Sequence, residues 1–158
     1  MLQKNSTQKI AARGGRFVIV ASQYNARYVD AMLRAARTEI LRAGGAVEII
    51  RVPGAYEIPV VAARVARPAA AKPSLSAILC LGVILRGSTT HAQHIGEAVS
   101  NALVQIQIQH EVPVIHEVLL LENEQQARAR CLGKTHNRGR EAAQTALAMV
   151  QVLKQLNA

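Results

Sequence analysis

The sequence predicts an α/β fold, a parallel sheet with helices on both faces. Three observations carry this. Short apolar runs alternate along the chain with longer segments of helical periodicity. The runs are almost continuously apolar, as suits strands covered on both sides. Glycine, proline and polar residues gather between them, where the chain must turn.

Arg16-Phe17-Val18-Ile19-Val20-Ala21 reads as the first core strand. Ala26 to Arg42 follows as a helix, with Val29, Met32, Leu33, Ala36, Ile40 and Leu41 on its apolar side, and Gly44-Gly45 stops it. Val47 to Val52 is the second strand. The next helix starts near Tyr56, with Pro59 in its first turn, and runs to about Arg67. Pro68 to Ser74 is the clearest loop. The third strand spans Ser76 to Leu85 and the third helix His91 to His110. Pro113 to Leu121 is the fourth strand. Glu122 to Arg130 and Asn137 to Leu156 read as two last helices, broken near Gly133. No internal repeat or low-complexity tract interrupts this pattern.

A length of 158 residues fits one domain over 1–158, with 1–15 as a polar N-terminal arm. Half of the residues are hydrophobic but only 3% are aromatic, so the core must be built from Ala, Val, Ile and Leu. No apolar run approaches the roughly 20 residues that span a bilayer, and Met1 to Lys9 lacks a signal-peptide core. Neither a membrane association nor a secretory route is expected. Cys80 falls in a strand and Cys131 in a helix, without a Cys-x-x-Cys pair, which reads as free thiols in a reducing, cytoplasmic setting. The net charge of +9, from 19 basic against 10 acidic residues, is dispersed. It biases the surface toward small anions, and without a nucleic-acid motif nucleic acid is not an expected partner.

In a parallel sheet of this kind, ligands bind beyond the carboxyl ends of the strands. Those ends carry Gln23-Tyr24-Asn25, Gly54-Ala55-Tyr56-Glu57, Arg86 to His91, and Leu121-Glu122-Asn123. The richest is Arg86-Gly87-Ser88-Thr89-Thr90-His91. A glycine and three hydroxyl residues at a strand-to-helix turn offer free N–H groups and the positive end of a helix dipole to a phosphate. His91, in the first helical turn, is placed to move protons beside that anion, since imidazole titrates at about 6.5. His94 shares its helix face, but no third ligand is evident, so no metal site is expected. His110 and His136 belong to no motif. Glu57 could be a plain first-turn carboxylate; its strand-end position favours ligand contact. Tyr24, just past a strand, suits ring stacking. Phosphate cradle and proton shuttle together imply chemistry on a small phosphorylated molecule.

Three segments in order carry a resemblance. They are Val52-Pro53-Gly54-Ala55-Tyr56-Glu57-Ile58-Pro59, Leu81 to His91, and a C-terminal set of Glu122-Asn123, Gln126-Ala127, Arg130, Asn137-Arg138-Gly139 and Glu141-Ala142-Ala143. From about Phe17 to Met149 the chain resembles the lumazine synthases of riboflavin biosynthesis. The resemblance implies a flavodoxin-like three-layer α/β/α sandwich around a four-stranded parallel sheet. It implies condensation of 5-amino-6-ribitylamino-uracil with 3,4-dihydroxy-2-butanone 4-phosphate to 6,7-dimethyl-8-ribityllumazine, releasing phosphate and water. No metal or organic cofactor is implied, and the imine forms between the substrates themselves.

By position, the resemblance assigns Tyr24 to stacking on the pyrimidine, where phenylalanine or tryptophan is more usual. Asn25 and the backbone of Ala55 and Tyr56 would hold the ring and ribityl chain, Val83 and Ile84 would line the same site, and Glu57 would accept ribityl hydroxyls. Ser88 and Thr89 would hold the phosphate and His91 would transfer protons. A neighbouring subunit would supply His116 over the ring, Arg130 as a phosphate clamp and Lys134 nearby; Glu141 would orient the histidine. Two departures stand out: His116 replaces a usual aromatic, commonly phenylalanine, and Gln23 a common arginine. The family assembles as homopentamers or multiples of them, including icosahedral shells, and the short Gly133 to Arg138 connection resembles that of shell formers. Riboflavin synthase activity on lumazine alone, ligand binding without catalysis, and a purely structural shell or nucleic-acid carrier are the competing readings.

Overall fold

The computed structural model describes residues 14–68 and 74–158. The order is β1 (Arg16–Ser22), α1 (Ala26–Arg42), β2 (Ala46–Val52), a 3-10 turn (Ala55–Glu57), α2 (Ile58–Ala66), β3 (Ala77–Leu85), α3 (His91–His110), β4 (Val114–Leu121), α4 (Glu124–Cys131) and α5 (Arg138–Leu156). The four strands form one sheet in the order β2-β1-β3-β4, and every neighbouring pair is parallel. This is the three-layer flavodoxin-like arrangement that the sequence leads one to expect. Most of the loop expected over Pro68 to Ser74, residues 69–73, lies outside the described residues, as does the arm up to residue 13. Gly14 and Gly15, expected in that arm, are tied instead to the turn after α1. Gly14 N–H donates to the Ala43 carbonyl (3.0 Å) and Ala46 N–H to the Gly15 carbonyl (2.8 Å).

Side chains alternate between two cores, as the period of a strand requires. Phe17, Ile19 and Ala21 of β1 and Leu79, Leu81 and Val83 of β3 face α1, α4 and α5. Val18, Val20, Ile78, Cys80 and Ile84 face α2 and α3. Continuous burial therefore holds for the two central strands. It fails for β2, an edge strand whose Ile49 is 40% exposed. Glu48 and Arg51 of β2 make ion pairs with Arg16 (3.2 Å) and Asp30 (2.6 Å), and charged residues on an edge discourage pairing with stray strands.

Two helices start later than their periodicity suggests. Tyr56 belongs to the 3-10 turn, so α2 begins at Ile58 with Pro59 in its first turn. Glu122 is outside α4, because Asn123 takes the capping position and accepts the Gln126 N–H (2.9 Å). Asn137 caps α5 through the N–H groups of Gly139 (2.9 Å) and Arg140 (3.3 Å), and its own amide holds the Cys131 carbonyl at 2.6 Å. Gly139 then lets α5 close on α1: a Cβ there would lie 2.0 Å from the Met32 carbonyl oxygen.

Candidate active site

The winding of the sheet reverses between β1 and β3, since the chain leaves β1 toward β2 on one side and returns to β3 on the other. A crevice at the carboxyl ends of those two strands is the expected ligand site of such a sheet. Asn25 spans it. Its Nδ2 donates to the Val83 carbonyl at 2.7 Å, and its backbone is left-handed (φ 56°, ψ 40°), a conformation that asparagine tolerates better than most residues.

Gln23 and Tyr24 are pinned to the loop after β2. Gln23 N–H donates to the Val52 carbonyl (2.8 Å) and Tyr24 N–H to that of Pro53 (3.1 Å). This brings the Tyr24 ring, 74% exposed, beside Gly54. A Cβ on Gly54 would lie 2.8 Å from Glu57 Oε2 and 3.9 Å from Tyr24 Cδ2. Ring edge and carboxylate thus flank one glycine, although their residues come from two different strand ends. Ala55 beneath them is buried. Tyr56, 64% exposed, lines a cavity of about 240 Å³ shared with Pro59, Val60 and three residues of α3. Val83 and Ile84 are buried in the two opposite cores; among the described residues, the Val83 carbonyl is what meets Asn25.

The loop from Arg86 to Thr90 stands open to solvent. Thr89 Oγ1 accepts a long bond from the His91 N–H (3.4 Å), and no side chain caps α3. Among the described residues, the N–H groups of Gly87, Ser88, Thr89 and Thr90 meet no protein acceptor. Open donors at a helix start are an anion site by geometry and by dipole. His91 is exposed in the first turn of α3 at this same rim.

Arg86 anchors the loop, a role not evident from its neighbours in sequence. Its N–H donates to the Leu121 carbonyl (2.8 Å), and its guanidinium donates to Glu122 (2.9 Å) and Gln93 (3.4 Å). The available signal is that Arg86 and Glu122 each follow directly on adjacent parallel strands, β3 and β4.

Other expected site residues are not at this rim. His116 pairs in register with Cys80, five residues before the Leu85–Leu121 pair, or about 16 Å down the sheet. Its Nε2 lies 2.7 Å from Ser100 Oγ and its Nδ1 accepts the Val118 N–H (3.2 Å). Burial lowers its pKa. Arg130 is exposed on α4, and among the described residues it makes neither a hydrogen bond nor an ion pair. Lys134 is exposed between α4 and α5; its carbonyl accepts from Arg140 (2.7 Å). Glu141 meets Arg138 (2.7 Å), which also donates twice to the buried Glu117 (2.6 and 3.1 Å). Burial raises the Glu117 pKa against the pull of Arg138. The thiols are buried as well: Cys131 is pushed up to about 11 and Cys80 further, both chiefly by burial.

The arrangement can therefore stack a flat ring, grip hydroxyls with a carboxylate, seat a phosphate and move a proton beside it. Among the described residues no group of three or more His, Cys, Asp or Glu is placed to hold a metal ion, and no helix is long and apolar enough to cross a membrane. A cavity of about 560 Å³ lies between α3 and β4, and neither Tyr24 nor Glu57 lines it.

Comparison with known proteins points the same way. The profile of the 6,7-dimethyl-8-ribityllumazine synthase family matches residues 14–154. A 6,7-dimethyl-8-ribityllumazine synthase of Stenotrophomonas maltophilia (strain R551-3) is 42% identical over 89% of this chain and 90% of its own length. Its counterpart from Xanthomonas campestris pv. campestris (strain B100) is 40% identical over 89% of this chain and 91% of its own. One from Xanthomonas oryzae pv. oryzae (strain PXO99A) is also 40% identical over the same shares. Fold, rim and sequence agree: the chain belongs to the 6,7-dimethyl-8-ribityllumazine synthase family.

Proposed function

We propose that the rim of this sheet condenses 5-amino-6-ribitylamino-uracil with 3,4-dihydroxy-2-butanone 4-phosphate, giving 6,7-dimethyl-8-ribityllumazine, phosphate and water. The observation that carries this is the convergence of Tyr24 and Glu57 on Gly54, at the same sheet end as an open anion loop and His91. Tyr24 stacks on the pyrimidine and Glu57 accepts hydrogen bonds from the ribityl hydroxyls. Asn25 and the backbone of Ala55 and Tyr56 hold the ring and chain, with the backbone of Val83 and Ile84 lining the site. Ser88 and Thr89 bind the phosphate. The amine of one substrate attacks the ketone of the other and a water leaves. Phosphate is then eliminated, and ring closure onto the remaining carbonyl expels a second water. His91 carries protons between these steps. Most of the rate gain comes from holding both substrates together, which is worth about 7–11 kcal/mol.

The site is completed by a second copy of the chain, which brings His116 over the ring and Arg130 and Lys134 to the phosphate. Among the described residues the Arg130 side chain makes no hydrogen bond or ion pair, which leaves its guanidinium open to a phosphate. Val60 and Ile108, 70% and 71% exposed on α2 and α3, give a second copy apolar surface to cover. The assembly is a pentamer or a multiple of it. Glu141 acts on the histidine of the shared site only through Arg138 and its neighbours, because Arg138 holds its carboxylate. The two buried free thiols suit a reducing cytoplasm.

Mixing both substrates with the protein tests this directly. Lumazine forms and one phosphate is released per lumazine. No lumazine, with both substrates intact, ends the proposal; riboflavin made from lumazine alone assigns the chain to the other reaction.

A further inference from the structure

His116 is a poor hydrocarbon if left to itself. A neutral imidazole carries one N–H donor and one lone pair, both of which seek partners, and it gains a charge near neutrality. Here both nitrogens are used within the chain. The Val118 N–H, on the edge strand β4, donates to Nδ1 at 3.2 Å. A backbone N–H can only donate, so Nδ1 keeps its lone pair and the proton sits on Nε2. Nε2 lies 2.7 Å from Ser100 Oγ, and the Ser100 hydroxyl donates to the Gly96 carbonyl, also at 2.7 Å. The serine lone pair is thereby turned toward Nε2–H. Each hydrogen in the series has one place to go.

The other tautomer, and the cation, would both set a hydrogen on Nδ1 against the Val118 N–H. Burial also disfavours the cation, and outweighs the backbone hydrogen bond at His116 that favours it. The charged groups near this ring do not reverse it. Arg86 and Glu97 line the same groove as Ser100; Glu97 takes the Gln93 amide (2.9 Å) and Arg86 is paired with Glu122 (2.9 Å). Cys80, opposite His116 on β3, is a buried thiol, and Glu117 alternates to the other face, toward Arg138.

We infer that Ser100 is a positioning residue that fixes His116 as a neutral ring with both nitrogens satisfied, so that it offers the pyrimidine of the adjoining site a π face in place of the usual aromatic. This rests on the placement of His116 over the neighbouring ring given above. It accounts for the departure at this position: the imidazole is converted by its own subunit into a stacking surface. Ser100 does not touch substrate and acts only through His116.

Nitrogen-15 NMR of histidine-labelled protein at pH 8 reads the tautomer. The unmutated chain shows a pyrrole-type Nε2 and a pyridine-type Nδ1 at His116; a protonated Nδ1 or an even mixture overturns the inference. Kinetics read its consequence. Ser100→Ala raises KM for the pyrimidine about three- to tenfold, the size of one hydrogen bond, with kcat little changed, and Ser100→Thr restores most of the loss. With Phe at 116 there is no nitrogen left to hold, so adding Ser100→Ala to H116F moves KM no further. An equal rise in both backgrounds overturns the role assigned to Ser100. An active enzyme whose KM is unmoved by His116→Ala shows that the ring is elsewhere than over the substrate, and an unmutated chain that makes no lumazine shows that the reaction itself was misread. The tautomer measurement stands apart from both.

Discussion

Asn25 ties the two central strands together at the reversal of the sheet: its amide nitrogen lies 2.7 Å from the Val83 carbonyl oxygen. The same residue holds a left-handed backbone, φ 56°, and opens α1. Two separate costs follow from replacing it. Asn25→Ala loses the hydrogen bond and strains the turn, and should lower stability by about 2 kcal/mol. Asn25→Gly loses only the bond at a backbone that glycine accepts, and should lose about 1 kcal/mol. Urea denaturation of the two variants checks the order; glycine equal to alanine means that the left-handed turn carries no cost.

Glu117 gives a pH dependence whose sign can be worked out. Burial raises its pKa in the folded chain. An unfolded glutamate therefore ionises first as pH rises, and the contribution that Glu117 makes to stability is full below its unfolded pKa and is lost as pH rises through the folded one. Glutamine imitates the protonated form and does not titrate. Glu117→Gln should thus gain stability relative to the unmutated chain as pH rises above about 4. Denaturant midpoints at a series of pH values measure this, and a constant difference across the range contradicts a raised pKa.

The strands were legible because β1 and β3 are buried on both faces and so are written as unbroken apolar runs. The rim was legible because parallel topology sends every strand end the same way, whatever the loops contain. Other features depend on contacts between distant residues. Nothing around Asn25 announces that its amide will leave the helix end uncapped and reach 58 residues along the chain. Glu122 and Arg86 meet only because β3 and β4 are neighbours in register. His116 read as a weakened stacking residue, since its partners Ser100 and Val118 lie on a helix and at a strand edge that the local pattern does not connect.

Two glycines should respond differently to the same methyl group. At Gly139 a Cβ meets the backbone of α1, 2.0 Å from the Met32 carbonyl oxygen and 2.5 Å from its Cα. Backbone cannot swing aside, so Gly139→Ala should cost about 3 kcal/mol or more and yield little folded protein. At Gly54 the nearest atom is the far end of a side chain, Glu57 Oε2 at 2.8 Å. Gly54→Ala should fold normally and displace the carboxylate, raising KM for the ribityl substrate while leaving that for the phosphate substrate unchanged. Circular dichroism and steady-state kinetics separate the cases. A Gly54→Ala enzyme with an unmoved KM would place the ribityl chain away from Glu57.

A site shared between subunits makes a prediction that a site within one chain does not. His91→Ala removes the proton carrier and should slow turnover by about a hundredfold or more. Arg130→Ala removes the phosphate clamp and should mainly raise KM for the butanone phosphate. If each clamp serves the rim of an adjoining copy, the two defects lie on opposite sides of the same interface. Unfolding the two variants together and refolding them as mixed rings then restores about a quarter of the interfaces to an intact His91 facing an intact Arg130. Activity at limiting phosphate substrate should rise well above that of either variant refolded alone. Were both groups drawn from one chain, every site in the mixture would keep one defect, and mixing would restore nothing.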